Sequence, residues 1–152
     1  MRLPILYSFR RCPYAIRARM AIYIANLKIE LREVILKSKP KEFLSISPSK
    51  TVPTLICGKT IIDESFDIMI WALKRNDPEN WLKMPPYGYE IIKEIEGPFK
   101  DFLDKTKYSN RFPLEDPKAN RKKASNYLIQ IDEKLHSKFL FGSQPCLADI
   151  AI

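Results

Sequence analysis

The stretch Ser8-Phe9-Arg10-Arg11-Cys12-Pro13-Tyr14 sets a cysteine directly before a proline, with Arg10, Arg11, Arg17 and Arg19 within seven residues of it. The thiolate, not the thiol, is the nucleophile in disulfide exchange. Proline suits the first turn of a helix, where its missing N–H removes no hydrogen bond. Cys12 is therefore expected at a helix N-terminus, where unpaired backbone N–H groups favour negative charge, and nearby guanidinium groups would favour it further. Spacing leaves open which arginines reach the sulfur. Arg17 and Arg19 lie more than one turn away and could instead make a surface or interdomain contact. A plainer reading also stands, since free cysteines are frequently small buried core residues.

Two further pieces could hold a ligand for such a thiol. Val52-Pro53 opens an apolar run. A cis bond there would turn the backbone of Val52 outward, where it could pair with an extended peptide-like ligand as a strand edge does. An ordinary trans proline is the commoner state of X-Pro bonds. Glu64-Ser65 precedes a helical pattern. A serine or an acidic residue at that place caps a helix, and the same N–H groups and hydroxyl can bind a carboxylate. A metal site is not expected: His136 is the one histidine, and Cys12, Cys57 and Cys146 are widely scattered, which offers no ligand spacing.

The elements that must position these residues follow from pattern. Leu3 to Phe9 reads as a strand, Pro13 to Leu27 as a helix with Ile16, Met20 and Ile24 on one stripe, and Ile29 to Leu36 as a second strand. A helix between two strands implies a parallel pair with a crossover. Pro40 to Ser45 reads as a short helical turn. Thr54–Cys57 and Thr60–Ile62 flank Gly58-Lys59, and glycine at the first central position suits a two-residue hairpin. A helix over Ser65 to Arg75 completes a βαβ–ββα unit.

Beyond it, Pro78, Pro85, Pro86 and Gly88 mark a linker. The remainder reads as helical. One stripe contains Ile91, Ile92, Ile95, Phe99, Phe102 and Leu103, interrupted by Gly97-Pro98. Another contains Ala124, Tyr127, Leu128, Ile131 and Leu135, and a last helix starts near Leu147. The expected organisation is an α/β domain over 1–77, a linker over 78–88 and an all-α domain over 89–152.

Composition agrees with a packed, water-soluble chain. Of the 152 residues, 45% are hydrophobic, enough for a core rather than disorder. No apolar run approaches a membrane span and no signal segment opens the chain. Three cysteines form no disulfide framework, which points to a reducing compartment and a cytoplasmic protein. The net charge is +8. The basic residues are scattered, with no run of five or more, so the charge reads as a solvated face and nucleic acid is not an expected partner.

Taken in order, "RRCPYAIRARMAI", "ILKSKPKEF", "SKTVPTL", "DESFDIMIWAL" and "FGSQPCLADIAI" resemble the glutathione transferase superfamily. The closest likeness is to its cysteine-type members, the omega-like and dehydroascorbate-reductase-like groups. The resemblance covers the whole chain. It implies a thioredoxin-like N-terminal domain followed by an all-helical C-terminal domain. It implies glutathione as co-substrate, no metal, and an enzyme acting by thiol–disulfide exchange on a small disulfide or oxidant. Cys12 would be the nucleophile. Ala15 stands where a dithiol oxidoreductase carries its second cysteine, so release of a disulfide on Cys12 would need an external thiol. Lys39, on its own a solvated lysine, would pair with the glycine carboxylate. Val52, before a cis Pro53, would hold the cysteinyl backbone, and Glu64 and Ser65 would bind the γ-glutamyl end. A homodimer packed across both domains is the family habit.

Tyr7 and Ser8 are the rival residues, because tyrosine- and serine-type relatives use a hydroxyl to stabilise the glutathione thiolate for conjugation. A non-catalytic binding or regulatory module on the same fold is the other alternative. Two departures stand out. "LADIAI" resembles the start of a long central helix that continues in the family, so the C-terminal domain reads as truncated. Cys146 stands where the family carries Ser or Thr in a capping box with Asp149, and a thiol is the weaker hydrogen-bonding group. Cys57 and Cys146 read as structural.

Overall fold

Four short strands form one mixed sheet in the order β2-β1-β3-β4. The computed structural model describes residues 2–152. β1 (Ile5–Ser8) pairs in parallel with β2 (Glu30–Glu33) and antiparallel with β3 (Thr54–Cys57), which pairs antiparallel with β4 (Thr60–Ile62). The β3–β4 hairpin turns at Gly58, φ +61°, the left-handed geometry that a primed turn needs at its first central residue and that glycine adopts without a Cβ clash. α1 (Pro13–Ile24) crosses from β1 to β2, α2 (Lys41–Ile46) lies between β2 and β3, and α3 (Ser65–Leu73) follows β4. The βαβ–ββα order read from the sequence is thus the observed one.

Successive strand residues point to opposite faces, and the two faces of this sheet are differently filled. Leu6 and Leu55 are fully buried, as are Ile68, Met69 and Ala72 of α3. Tyr7, one residue on from Leu6, joins Val34 and Phe43 in a second cluster, its ring 5.0 Å from that of Phe43.

α1 differs from the sequence expectation. Ile16 and Met20, expected on its buried stripe, are 39% and 41% exposed, while Ala15, Ala18, Ala21 and Ile22 are buried. α1 and α3 pack directly on one another, and a face of alanines lets two helices approach closely. Large apolar residues were the wrong guide to that face. The helix also stops three residues before Leu27. Asn26 takes φ +52°, its N–H donates to Tyr23 O at 2.9 Å, and Leu27 N–H donates to Ile22 O at 3.2 Å. That is the paired-bond ending in which a left-handed residue closes a helix.

The chain divides into two compact units, Met1–Leu82 and Lys83–Ile152. The second is helical: α4 (Tyr87–Glu94), α5 (Lys100–Lys107), α6 (Pro117–Lys134) and α7 (Leu147–Ala151). Gly97-Pro98 does not break the first of these. A π-helical turn over Ile95–Phe99 joins α4 to α5. Pro98 has no N–H to give to the preceding turn, and a wider turn carries the chain past that missing bond. Ile91, Ile92 and Ile95 are buried, and Phe99 and Phe102 meet the ring of Tyr127 on α6 at 6.4 and 6.3 Å.

α7 begins with both halves of a capping box. The Asp149 carboxylate accepts the Cys146 N–H at 2.8 Å, and the Cys146 sulfur faces the Asp149 N–H. The other oxygen of Asp149 accepts the Leu140 N–H at 2.8 Å. One carboxylate therefore satisfies a helix start and the preceding loop. Replacing Asp149 with alanine strands two backbone donors, which should lower stability by about 2 kcal/mol. Urea denaturation of the Asp149→Ala chain checks this, with faster amide exchange at Leu140 and Cys146 as the local signature. Unchanged exchange at both sites would refute it.

Candidate functional site

Cys12 sits at the end of a tight turn. Its N–H donates to Phe9 O at 3.0 Å, so Phe9 to Cys12 form a β-turn with Arg10 and Arg11 at its centre. Cys12 is the residue before helical Pro13, in extended geometry (φ −75°, ψ 120°), and its carbonyl accepts the first helical bond from Ile16 N–H at 2.9 Å. Two side chains strap this turn. Arg19, one and a half turns into α1, donates to Ser8 Oγ at 2.6 Å, Arg10 O at 3.0 Å and Phe9 O at 3.4 Å. Glu33 of β2 accepts the Arg10 N–H at 2.6 Å.

The thiol is half-buried and donates to Val52 O at 3.7 Å, a distance in keeping with sulfur. The Val52–Pro53 bond is cis. The loop that carries it is held from the far side by Asp63. This carboxylate accepts the Ser49 N–H at 2.6 Å, the Ser47 hydroxyl at 3.0 Å and the Thr54 hydroxyl at 2.5 Å. Partial burial pushes the Asp63 carboxyl up, but the bonds from Ser49, Thr54 and Ser47 together outweigh it and hold the group below the usual carboxylate range. Lys50, at the top of the loop, takes a left-handed φ of +56°. Its N–H donates to Ser47 Oγ at 3.0 Å and its carbonyl accepts from Lys39 Nζ at 2.7 Å. Both ends of a backbone conformation that costs a non-glycine residue about 1–2 kcal/mol are thereby tied down.

At the start of α3, Glu64 is the residue before the helix and is exposed, with no side-chain capping bond. Ser65 is 2% exposed, and its Oγ accepts from Arg17 Nε at 3.1 Å and Nη2 at 2.7 Å. Two accepted bonds leave the serine its own hydrogen to donate. Arg17 is itself buried and its guanidinium lies over the Tyr14 ring at 5.1 Å.

The structure thus joins Cys12 to Val52, Lys39 to the same loop through Lys50, and that loop to the α3 start through Asp63, which adjoins Glu64 and Ser65. The rival hydroxyls lie elsewhere. Ser8 is fully buried and its oxygen accepts from Arg19. Tyr7 is 2% exposed and its hydroxyl accepts from Arg32 Nη1 at 2.9 Å. Asp63 and Glu33 were not legible as site residues, and Arg19 was legible only as one of four arginines near the thiol. The signal for Asp63 was the Asp-Glu-Ser run, in which Glu64-Ser65, read as a helix cap, drew attention away from the residue before it; in the structure Glu64 makes no capping bond.

Cys146 is buried, and burial followed by the Asp149 carboxylate pushes its thiol up. Among the described residues no group of three or more His, Cys, Asp or Glu could hold a metal ion. No described helix is long and apolar enough to cross a membrane.

A four-stranded βαβ–ββα sheet, a cysteine-proline pair at the first helix and a cis proline before the third strand define a thioredoxin-like thiol domain. The chain belongs to the glutathione S-transferase family: the family model for the glutathione S-transferase N-terminal domain matches residues 6–81. It is 29% identical over 92 residues to the glutathione S-transferase DHAR3, chloroplastic, of Arabidopsis thaliana, a match covering 60% of this chain and 35% of that protein. It is 26% identical over 144 residues to the probable glutathione S-transferase DHAR1, cytosolic, of Oryza sativa subsp. japonica, covering 93% of this chain and 63% of that one. The chain therefore spans less than two thirds of these curated relatives. The crystal structure of glutathione transferase Omega 3C from Trametes versicolor superposes with a TM-score of 0.80 at 19% identity, over 99% of this chain and 66% of that one. These likenesses match the expected glutathione transferase family and the thioredoxin-like-then-helical fold.

A carboxyl depressed on folding contributes stability that is complete above its ordinary range and is lost as pH falls through the depressed value. Asp63→Asn should therefore be less stable than the parent near neutral pH, with the gap narrowing below pH about 4. Thermal melts of both chains across that range check it, and a gap independent of pH would count against the assignment. The three thiols should also separate on timed iodoacetamide labelling, with Cys146 modified last because the buried thiol is kept protonated.

Proposed function

We propose that this chain carries the glutathione site and the reacting thiol of a glutathione-dependent transferase or reductase that works by thiol–disulfide exchange at Cys12. One observation carries the choice of residue. Of the three candidate groups, the Tyr7 and Ser8 hydroxyls are buried and engaged by guanidinium groups, whereas Cys12 is half-exposed at a helix start against the Val52 carbonyl. A hydroxyl so placed has no route to a glutathione sulfur, which disfavours conjugation through either.

The exchange has two steps. The Cys12 thiolate attacks the glutathione sulfur of a mixed disulfide; a Cys12–glutathione bond forms, the substrate S–S bond breaks, and the substrate leaves as a thiolate that takes up a proton. A second glutathione thiolate then attacks the glutathione sulfur bound to Cys12, releasing glutathione disulfide and regenerating the Cys12 thiolate. In sum one free glutathione is consumed: the substrate half is reduced to its thiol, and the glutathione it carried leaves joined to the second as glutathione disulfide. With Ala15 in place of a second thiol, no internal attack competes with the second step.

In this reading glutathione lies along Val52 as an added strand would. The γ-glutamyl carboxylate receives the Ser65 O–H. Arg17, on the other side of that oxygen, polarises it, and a hydrogen bond to a charged acceptor is the stronger kind. Glu64, exposed and uncapped, accepts from the γ-glutamyl ammonium. Lys39 uses one of its three hydrogens on Lys50 O and keeps two for the glycine carboxylate.

Intact mass after exposure to glutathione disulfide tests this. One glutathione should add to the parent chain, none at this site to Cys12→Ser, and excess reduced glutathione should remove it. No adduct, or one mapped to Cys57 or Cys146, would make the chain a binding module rather than an exchange enzyme.

A further inference from the structure

The four arginines around Cys12 fall into two pairs with different jobs. Arg17 and Arg19 are spent inside the domain, on Ser65 and on the turn. Arg10 and Arg11 occupy the central positions of the turn whose last residue is Cys12, and both are exposed. Arg11 lies over the Phe9 ring at 5.4 Å, which keeps its guanidinium beside the turn. Among the described residues, neither side chain is paired with a carboxylate. Among the described residues, the carboxylate bonded to this turn is that of Glu33, which accepts the Arg10 backbone N–H. Arg10, Arg11 and Arg19 against Glu33 leave the turn with a net charge of two positives next to the thiol. Fields of this kind select and steer charged reactants.

Resting on the exchange reading above, we propose that Arg10 and Arg11 set the class of the second substrate: a disulfide whose departing half carries a carboxylate or another anion close to its sulfur. The attacking thiolate repels such a group, and the departing thiolate adds a further negative charge. Two exposed guanidinium groups on the turn that ends at Cys12 would offset both. A cationic disulfide meets the same pair as a barrier. The covalent step is unchanged: the Cys12–S bond forms, the substrate S–S bond breaks, and the anionic half leaves as a thiolate and is protonated by water.

The first step is read alone, without glutathione, as the rate at which intact mass shows a mixed disulfide on Cys12. Three small disulfides of similar size serve as probes: dithiodiglycolate, a dianion; bis(2-hydroxyethyl) disulfide, neutral; and cystamine, a dication. Intrinsic differences among them cancel when the parent is compared with Arg10→Gln/Arg11→Gln, which keeps the backbone bonds to Glu33 and Arg19. The ratio of dianion rate to dication rate should be about tenfold higher in the parent at low ionic strength. In the parent alone it should shrink toward the variant's value at about 0.5 M salt, where screening reaches only a few ångströms. Equal ratios in parent and variant, or a parent ratio indifferent to salt, would overturn the proposal. The neutral probe separates the two readings: if it fails to modify Cys12, thiol exchange and charge selection fall together. If it reacts while the charge order is flat, only the charge selection falls.

Discussion

The carboxylate of Asp63 is the fixed point on which the cis-proline loop of this domain depends. A loop that reverses direction between α2 and β3 leaves its backbone groups without ladder partners, and such groups must be satisfied some other way. Here a charged acceptor takes a backbone N–H and two hydroxyls, and the Ser47 hydroxyl relays the hold to Lys50. The residues named for ligand contact in the loop and at the start of α3 follow from that anchoring. Val52 faces Cys12 because the loop is pinned behind it, and Glu64 is next to the pin in sequence. A small peptide-like ligand needs several weak contacts in register, and in the proposed site one shared carboxylate would couple the two walls that supply them.

The thiol side is built by the opposite sign. Arg19 gathers two carbonyls and a buried hydroxyl of the β1–α1 turn, so Cys12 is presented by a backbone that a guanidinium holds closed. This accounts for a cluster that, in one dimension, looks like four equivalent charges around a cysteine. Folding distributes them: one into the serine at the head of α3, one into the turn, two into solvent. Proximity along the chain overstated how many could act on the sulfur and understated how many were needed to place it.

Much of the fold was readable because it rests on strong local rules. Pro13 marked the start of α1, Gly58 the hairpin, and a helix between two strands the parallel pair. The buried face of α1 was not readable, because periodicity of large side chains assumes that bulk goes inward. Here closeness to α3 put alanines inward and left Ile16 and Met20 half-exposed. Gly97-Pro98 looked like a break and is a π-helical turn, since neighbouring turns can carry a helix past one missing donor. At the site, the cysteine, the prolines and Glu64-Ser65 stood out because their residue types are chemically distinctive, although neither Glu64 nor Ser65 caps α3 as the sequence suggested. Asp63 and Glu33 did not stand out, and what Arg19 binds was not readable, because their partners are 9 to 23 residues away and mostly backbone, which no residue type announces.

Ala15 faces a fully closed core one helical step from the thiol. A chain of this kind is separated from two-thiol chemistry by volume as well as by one codon's worth of side chain. A sulfur atom added there enters an interior packed as densely as a crystal, and space must first be given up by its neighbours. The route from one way of releasing a disulfide to the other therefore runs through the core before it reaches the surface. In the proposed exchange, dependence on an outside thiol would in that sense be a property of how α1 is packed.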